Sequence, residues 1–127
     1  MNDEFHGLPV RSLRNSSLRV DYLAEAGPRL VRLYLAGSSV NLLAEAPDLS
    51  WETPYGEYRI YGGHRLWHAP EAFPRTYLPD NDGLVVDEFE DGVRLRQPTE
   101  QPTGIQKSIE LWLHPDRPVL TVQHSLH

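Results

Sequence analysis

Apolar and polar residues alternate with a period of two over several short stretches, which is the spacing of half-buried strands rather than of helices. In SLRVDYLAEAG, residues 17–27, the side chains of Leu18, Val20 and Tyr22 share one face, and Gly27-Pro28 then turns the chain. RLVRLYLAG follows with Leu30, Leu33 and Leu35, a mostly strand-like pattern for which a short helix over 30–36 is the alternative. Gly37-Ser38-Ser39 leads into the short run VNLLAE. Together these three segments predict an antiparallel meander.

The second half alternates more cleanly. GLVVDEFEDGVRLRQP predicts a hairpin, with Val86, Glu88 and Glu90 running into Asp91-Gly92, a favoured tight-turn pair, and Val93 and Leu95 returning between Arg94 and Arg96. IQKSIELWLHPDRPVLTVQHSLH predicts another. Ile105, Ile109, Leu111 and Leu113 lie on one face, interrupted only by Lys107; residues 114–118 turn, and VLTVQHSL comes back. The expected fold is all-β, an antiparallel β-sandwich in a single domain over residues 1–127. The last predicted strand runs flush to His127, which leads us to expect an open sheet edge. Such an edge is completed by a second copy or by a missing C-terminal segment.

Composition changes the picture in two ways. Eleven prolines and nine glycines in 127 residues argue for many turns and against long helices. A formal charge of −6 argues against a sequence-independent grip on nucleic acid, which needs clustered Lys and Arg. No apolar run approaches the ~18 residues of a membrane span, so no membrane partner is expected. The absence of cysteine excludes disulfides, thiolate nucleophiles and Cys-based zinc sites. The acidic start MNDEFHGLPV is unlike a secretory signal, and a cytoplasmic address is expected.

One stretch stands outside the strand pattern. IYGGHRLWHAPEAFPRTYLPDN, residues 60–81, crowds glycines, histidines, arginines, a tryptophan, a glutamate and prolines together. Gly62-Gly63 suits a strand bend, or a close approach of backbone to a ligand. His64 can exchange a proton near neutral pH, although a lone histidine is more often a structural hydrogen-bonding group. Arg65 offers a planar fork of donors, and Trp67 a face for a sugar ring or for the core. Glu71, Asp80 and Asn81 sit on rigid, proline-framed loops; the carboxylates are candidate bases or hydroxyl binders, and equally candidate solvated loop residues. Alternation places His64 and Leu66 on one face and Arg65 and Trp67 on the other. His64 and His68 would lie about 13 Å apart along a strand, too far to chelate one ion, and no metal is expected. No nucleotide-binding or hydrolase motif is present.

YGGHRLWHAPE, then YLPDN, a DG hairpin and GIQKSIELWLHPDRPVLTVQHSL, resembles the N-terminal half of galactose mutarotase-like (aldose 1-epimerase-like) proteins. The likeness is greatest to a branch carrying a G-G-x-R-x-W-x-A-P-E stretch. The resemblance implies half of a larger β-sandwich fold and a part in carbohydrate metabolism, as an isomerase of a free sugar or sugar derivative. It also implies His124 as the acid histidine, His64 as the loop histidine of the same pocket and Arg65 as a substrate-binding arginine. Trp67, Glu71, Asp80 and Asn81 are expected on the substrate side from their own chemistry and loop placement. The family's catalytic glutamate would lie in the half this chain does not contain. Ring opening needs only proton transfers, so no cofactor is expected. Two other classes remain open from the residues alone: a carbohydrate-binding module without turnover, and a structural domain that assembles through its sheet edge.

Overall fold

The computed structural model describes residues 4–127 and contains antiparallel strands joined by turns, with one 3-10 turn at Arg75–Tyr77. The strands in chain order are β1 (Glu4–Phe5), β2 (Leu8–Arg14), β3 (Leu18–Leu23), β4 (Arg29–Leu35), β5 (Glu45–Thr53), β6 (Gly56–Gly62), β7 (His64–Arg65), β8 (Val85–Glu88), β9 (Gly92–Arg96), β10 (Lys107–Leu113) and β11 (Leu120–Leu126). They form a five-stranded sheet ordered β1-β2-β3-β4-β7, a four-stranded sheet ordered β11-β10-β9-β8, and the β5–β6 pair. The expected all-β, sandwich-like architecture is observed. Among the described residues no helix is long and apolar enough to cross a membrane.

The larger sheets pack face to face through Val20, Tyr22 and Leu30 from one and Val93, Leu95, Ile109 and Leu111 from the other. The alternation of the second half is clean because the four-stranded sheet buries one face only. The five-stranded sheet is covered on both faces. Val10, Leu23 and Val31 on its far side meet Phe5, Ala26 and Tyr61, the last from β6. Double coverage explains why β3 and β4 bury polar residues that alternation alone would place in solvent. Asp21 is fully buried, and it accepts hydrogen bonds from Ser12 Oγ (2.6 Å) and from Arg19 through Nε and Nη2 (both 2.9 Å). A buried carboxylate is tolerable only with such partners.

One expectation is corrected. The run at 40–44 is not a strand. It lies along β4, with Asn41 Oδ1 accepting from Leu33 N (3.0 Å) and Asn41 Nδ2 donating to Val31 O (3.0 Å), so a side chain takes the place of a strand ladder. The strand expected over RLVRLYLAG forms as β4 (Arg29–Leu35), and the helical alternative does not. Both second-half hairpins form as expected. Phe89 N donates to Gly92 O at 2.8 Å to close the first, and β10 pairs with β11 from Lys107↔Leu126 to Leu113↔Leu120.

The margins of the two large sheets lie over one another, and on one side β2 beyond β1 is the edge. Arg11 on β2 bonds Glu88 on β8 at 2.8 Å on one side, and β7 meets β11 on the other. The second side carries the histidines.

Candidate functional site

The chain leaves β6 through three consecutive residues in the left-handed region: Tyr61 (φ 58°), Gly62 (φ 110°) and Gly63 (φ 71°). A tyrosine there is strained, and strain of this kind marks positions that their surroundings hold firmly. The bend carries the chain from the β5–β6 layer to the edge of the five-stranded sheet, where His64 pairs with Leu30 and Arg65 with Arg29. The glycines admit close backbone neighbours, Ala44–Ala46 at Gly62 and Leu30–Val31 at Gly63. The close approach is thus made by the protein's own backbone.

From that edge His64 turns toward the four-stranded sheet. His124 pairs with Ile109 and so faces the same inner side from β11. The two imidazoles meet, Nε2 to Nε2, at 2.7 Å, with ring centres 5.0 Å apart. Such a contact needs one ring to donate and the other to accept, so the pair shares a single proton between two bases. His64 is half-buried and His124 exposed. Burial first, and then the nearby His124, push the His64 pKa below its ordinary value. At neutral pH His64 is therefore held neutral, beside a histidine that solvent reaches.

Alternation sends Arg65 the other way. Its guanidinium stacks 4.1 Å over Trp67, and burial lowers its pKa. Trp67 Nε1 donates to the Tyr58 hydroxyl (2.7 Å). Trp51, Tyr58, Trp67 and Tyr77 pack at ring-centre distances of 5.2–6.3 Å, and Glu71 accepts a hydrogen bond from the Tyr77 hydroxyl. Among the residues expected at the site, the histidines form one group, while Arg65, Trp67 and Glu71 join an aromatic cluster with Tyr58 and Tyr77. Asp80 grips the buried Arg29 in a two-pronged pair (both 2.9 Å), and Asn81 accepts from the Tyr61 hydroxyl (2.6 Å). These last two brace the loop that frames the aromatic cluster.

His68 begins a third cluster that sequence reading missed. It is buried, and its Nδ1 accepts from Arg75 Nη1 at 2.8 Å, which places its proton on Nε2. Among the described residues that Nε2 has no hydrogen-bond partner; Glu100 Oε1 stands 3.7 Å away. The opposite Glu100 oxygen pairs with Lys107 at 3.2 Å. Lys107 therefore does interrupt the apolar face of β10, and it does so with a buried counter-charge. Burial opposes the Glu100 charge, but bonds from Thr103 and Gln97 together with Lys107 outweigh it and lower its pKa. Burial, with Lys107 and Arg75 added, lowers that of His68. Among the described residues no three His, Asp or Glu side chains converge on a point where a metal ion would sit.

No family model, curated protein or solved structure matches this chain. What the site can do is read from its own geometry.

Two histidines with lowered folded-state pKa values give a definite pH dependence. Each binds a proton less readily folded than unfolded, so stability is full above the ordinary value of 6.5 and falls as pH drops below it. Urea midpoints should therefore decline on going from pH 7 to below 6.5, before the carboxylates titrate. His68→Asn, which keeps an acceptor near the Nδ1 position, should flatten that decline; an unchanged slope would contradict the assignment.

Proposed function

We propose that the side of the sandwich where β7 meets β11 recognises a sugar or sugar derivative, and that His64 and His124 move the protons of ring opening and closing. The observation that carries this reading is the 2.7 Å Nε2–Nε2 contact between a half-buried and an exposed histidine on opposing sheet edges. Anomeric interconversion needs an acid at the ring oxygen and a base at the anomeric hydroxyl. As the ring C–O bond breaks, His124 in its protonated form delivers a proton to the ring oxygen. His64, held neutral, accepts the hydroxyl proton as the carbonyl forms. Closure on the other face of the carbonyl reverses both transfers, and each histidine ends as it began. The likeness of YGGHRLWHAPE and VLTVQHSL to mutarotase-like proteins supports a sugar pocket here with His124 as the acid. The base of that family is a glutamate, whose part His64 takes in this proposal.

Polarimetry of freshly dissolved α-aldoses tests the reading. The chain should accelerate mutarotation, and His124→Ala should cost ~10²–10⁴-fold of the catalysed rate, the usual range for a positioned acid or base. Because His124 is exposed, its removal should leave the circular dichroism spectrum unchanged. No acceleration with any common aldose or aldose phosphate would overturn catalysis by this chain.

A second reading rests on the aromatic cluster. Phe73 is exposed beside Tyr77 (ring centres 6.1 Å), the kind of apolar face on which a sugar ring can stack without being turned over. Sugar-induced tryptophan fluorescence changes that survive His124→Ala would favour it.

A further inference from the structure

The two large sheets end in four edge strands, and three of them are blunted. β1 and β7 have two residues each. Beyond β1 the edge passes to β2, which carries Arg11 and Arg14, and beyond β7 the edge of β4 is bonded by Asn41. β8 has four residues ending in Asp87-Glu88. Short or charged edges of this kind discourage the addition of another strand. β11 is different. Its seven residues, LTVQHSL, contain no Lys, Arg, Asp, Glu, Pro or Gly.

Hydrogen bonding across β10–β11 fixes which groups of this edge are open. Gln106 and His127 exchange both bonds, Gln106 N to His127 O (2.9 Å) and His127 N to Gln106 O (3.0 Å), and His114 N donates to Val119 O (3.0 Å). By antiparallel alternation the odd-numbered residues of β11 bond toward β10. The even-numbered residues Leu120, Val122, His124 and Leu126 then aim their N–H and C=O groups away from the sheet.

We propose that a second copy of this chain adds its own β11 to this edge, antiparallel and related by a two-fold axis through Gln123. In that register Leu120 faces Leu126, Val122 faces His124, Thr121 faces Ser125 and Gln123 faces itself. All four outward residues are bonded, giving about eight backbone hydrogen bonds. Moving the axis to Val122 would bring Pro118, which has no N–H, opposite Leu126. Moving it to His124 would set the two histidines directly against each other. The strand is thus complementary to itself in one register. Its neutrality removes the repulsion that like charges directly opposite would cause.

The addition also covers apolar surface. Leu126 is half-exposed, and Leu120 and Val122 are only partly buried at the rim of the core. It places Val122 of the second copy against His124, so that each histidine pair acquires a wall the single chain lacks.

Sedimentation across a range of concentrations should give a mass rising toward twice 14.5 kDa as the concentration increases. Gln123→Lys sets two cations face to face at the centre of the pair and should leave a monomer with an unaltered circular dichroism spectrum. The chain has no cysteine, so a single introduced thiol reports the register. Gln123→Cys sits in a closely spaced, non-bonded pair and should oxidise to a covalent dimer, whereas Thr121→Cys should not. A wild-type chain that stays monomeric, a dimer indifferent to Gln123→Lys, or a Gln123→Cys chain that fails to cross-link would each overturn the proposal. Should Gln123→Lys perturb the fold, cross-linking decides alone.

Discussion

Arg29→Met is expected to lower the unfolding free energy by about 3–5 kcal/mol, the cost of breaking a buried ion pair by removing one partner. Arg29 is 1% exposed, and its guanidinium is used from every side. Nε and Nη2 grip Asp80, Nη1 donates to Ile60 O (2.7 Å), and Nη2 reaches the Tyr58 hydroxyl (3.1 Å) and Arg59 O (3.3 Å). The rings of Tyr58 and Tyr61 lie 5.5 and 5.0 Å from its central carbon. Burial works against its charge, yet Asp80 and the two tyrosines more than compensate, so its pKa is raised. Methionine fills much of the volume and supplies no donor. The Asp80 carboxylate and the Ile60 and Arg59 carbonyls would lose their donor together, and unmet buried groups are the expensive kind.

A double variant separates the pair from the packing. Asp80→Leu removes the stranded charge, so Arg29→Met with Asp80→Leu should be more stable than the sum of the single losses predicts. Urea unfolding of the four chains gives the coupling directly. A single-variant loss below about 1 kcal/mol, the level of an exposed pair, would mean that this pair does not hold the loop.

Arg29 also shows where sequence reading stops. Asp80 carries the signature of a loop carboxylate that binds hydroxyls, and its partner lies 51 positions away with no local pattern linking the two. The same holds for Lys107, which reads as a flaw in an apolar face until Glu100 is brought to it. Alternation worked best where its premise held. The four-stranded sheet buries one face, and both of its hairpins were readable from period and turn chemistry alone. The five-stranded sheet is covered twice, so β4 carries Arg29 and Arg32 among apolar residues and its pattern blurs. β5, EAPDLSWET, has a proline and no apolar period, because none of its residues is fully buried. VNLLAE looked like a strand and is a loop held by Asn41. For the site, the likeness of two short segments pointed to His64 and His124, and their contact needs β7 and β11 to occupy facing edges. Period and spacing carried no information about that alignment. The alternation that separates His64 from Arg65 was readable, and so was its consequence that the two need not share a pocket.

The glycine at the bend couples fold to site, and Gly63→Ala should be among the most damaging small substitutions in the chain. A Cβ there would overlap the Leu30 carbonyl oxygen and stand 2.9 Å from Val31 Cα, and both neighbours are backbone of a central strand with little room to give. The left-handed φ of 71° adds a conformational penalty that glycine does not incur. Steric overlap and backbone strain each cost of the order of 1–3 kcal/mol, so a combined loss of about 3–5 kcal/mol is expected. Gly104→Ala is the control. Its φ of 72° is nearly the same and a Cβ there meets nothing within 4 Å, so only the conformational part, about 1–2 kcal/mol, should appear. The difference between the two variants isolates the close approach of β7 to β4. Relief at Gly63 must move β7 away from Leu30, and His64 moves with it. Histidine titration by NMR should then show His64 returning toward its ordinary pKa, since both the burial and the nearby His124 that lower it depend on β7 staying docked. If Gly63→Ala lost no more stability than Gly104→Ala, and His64 titrated as in the wild type, the bend would not be what holds the two histidines together.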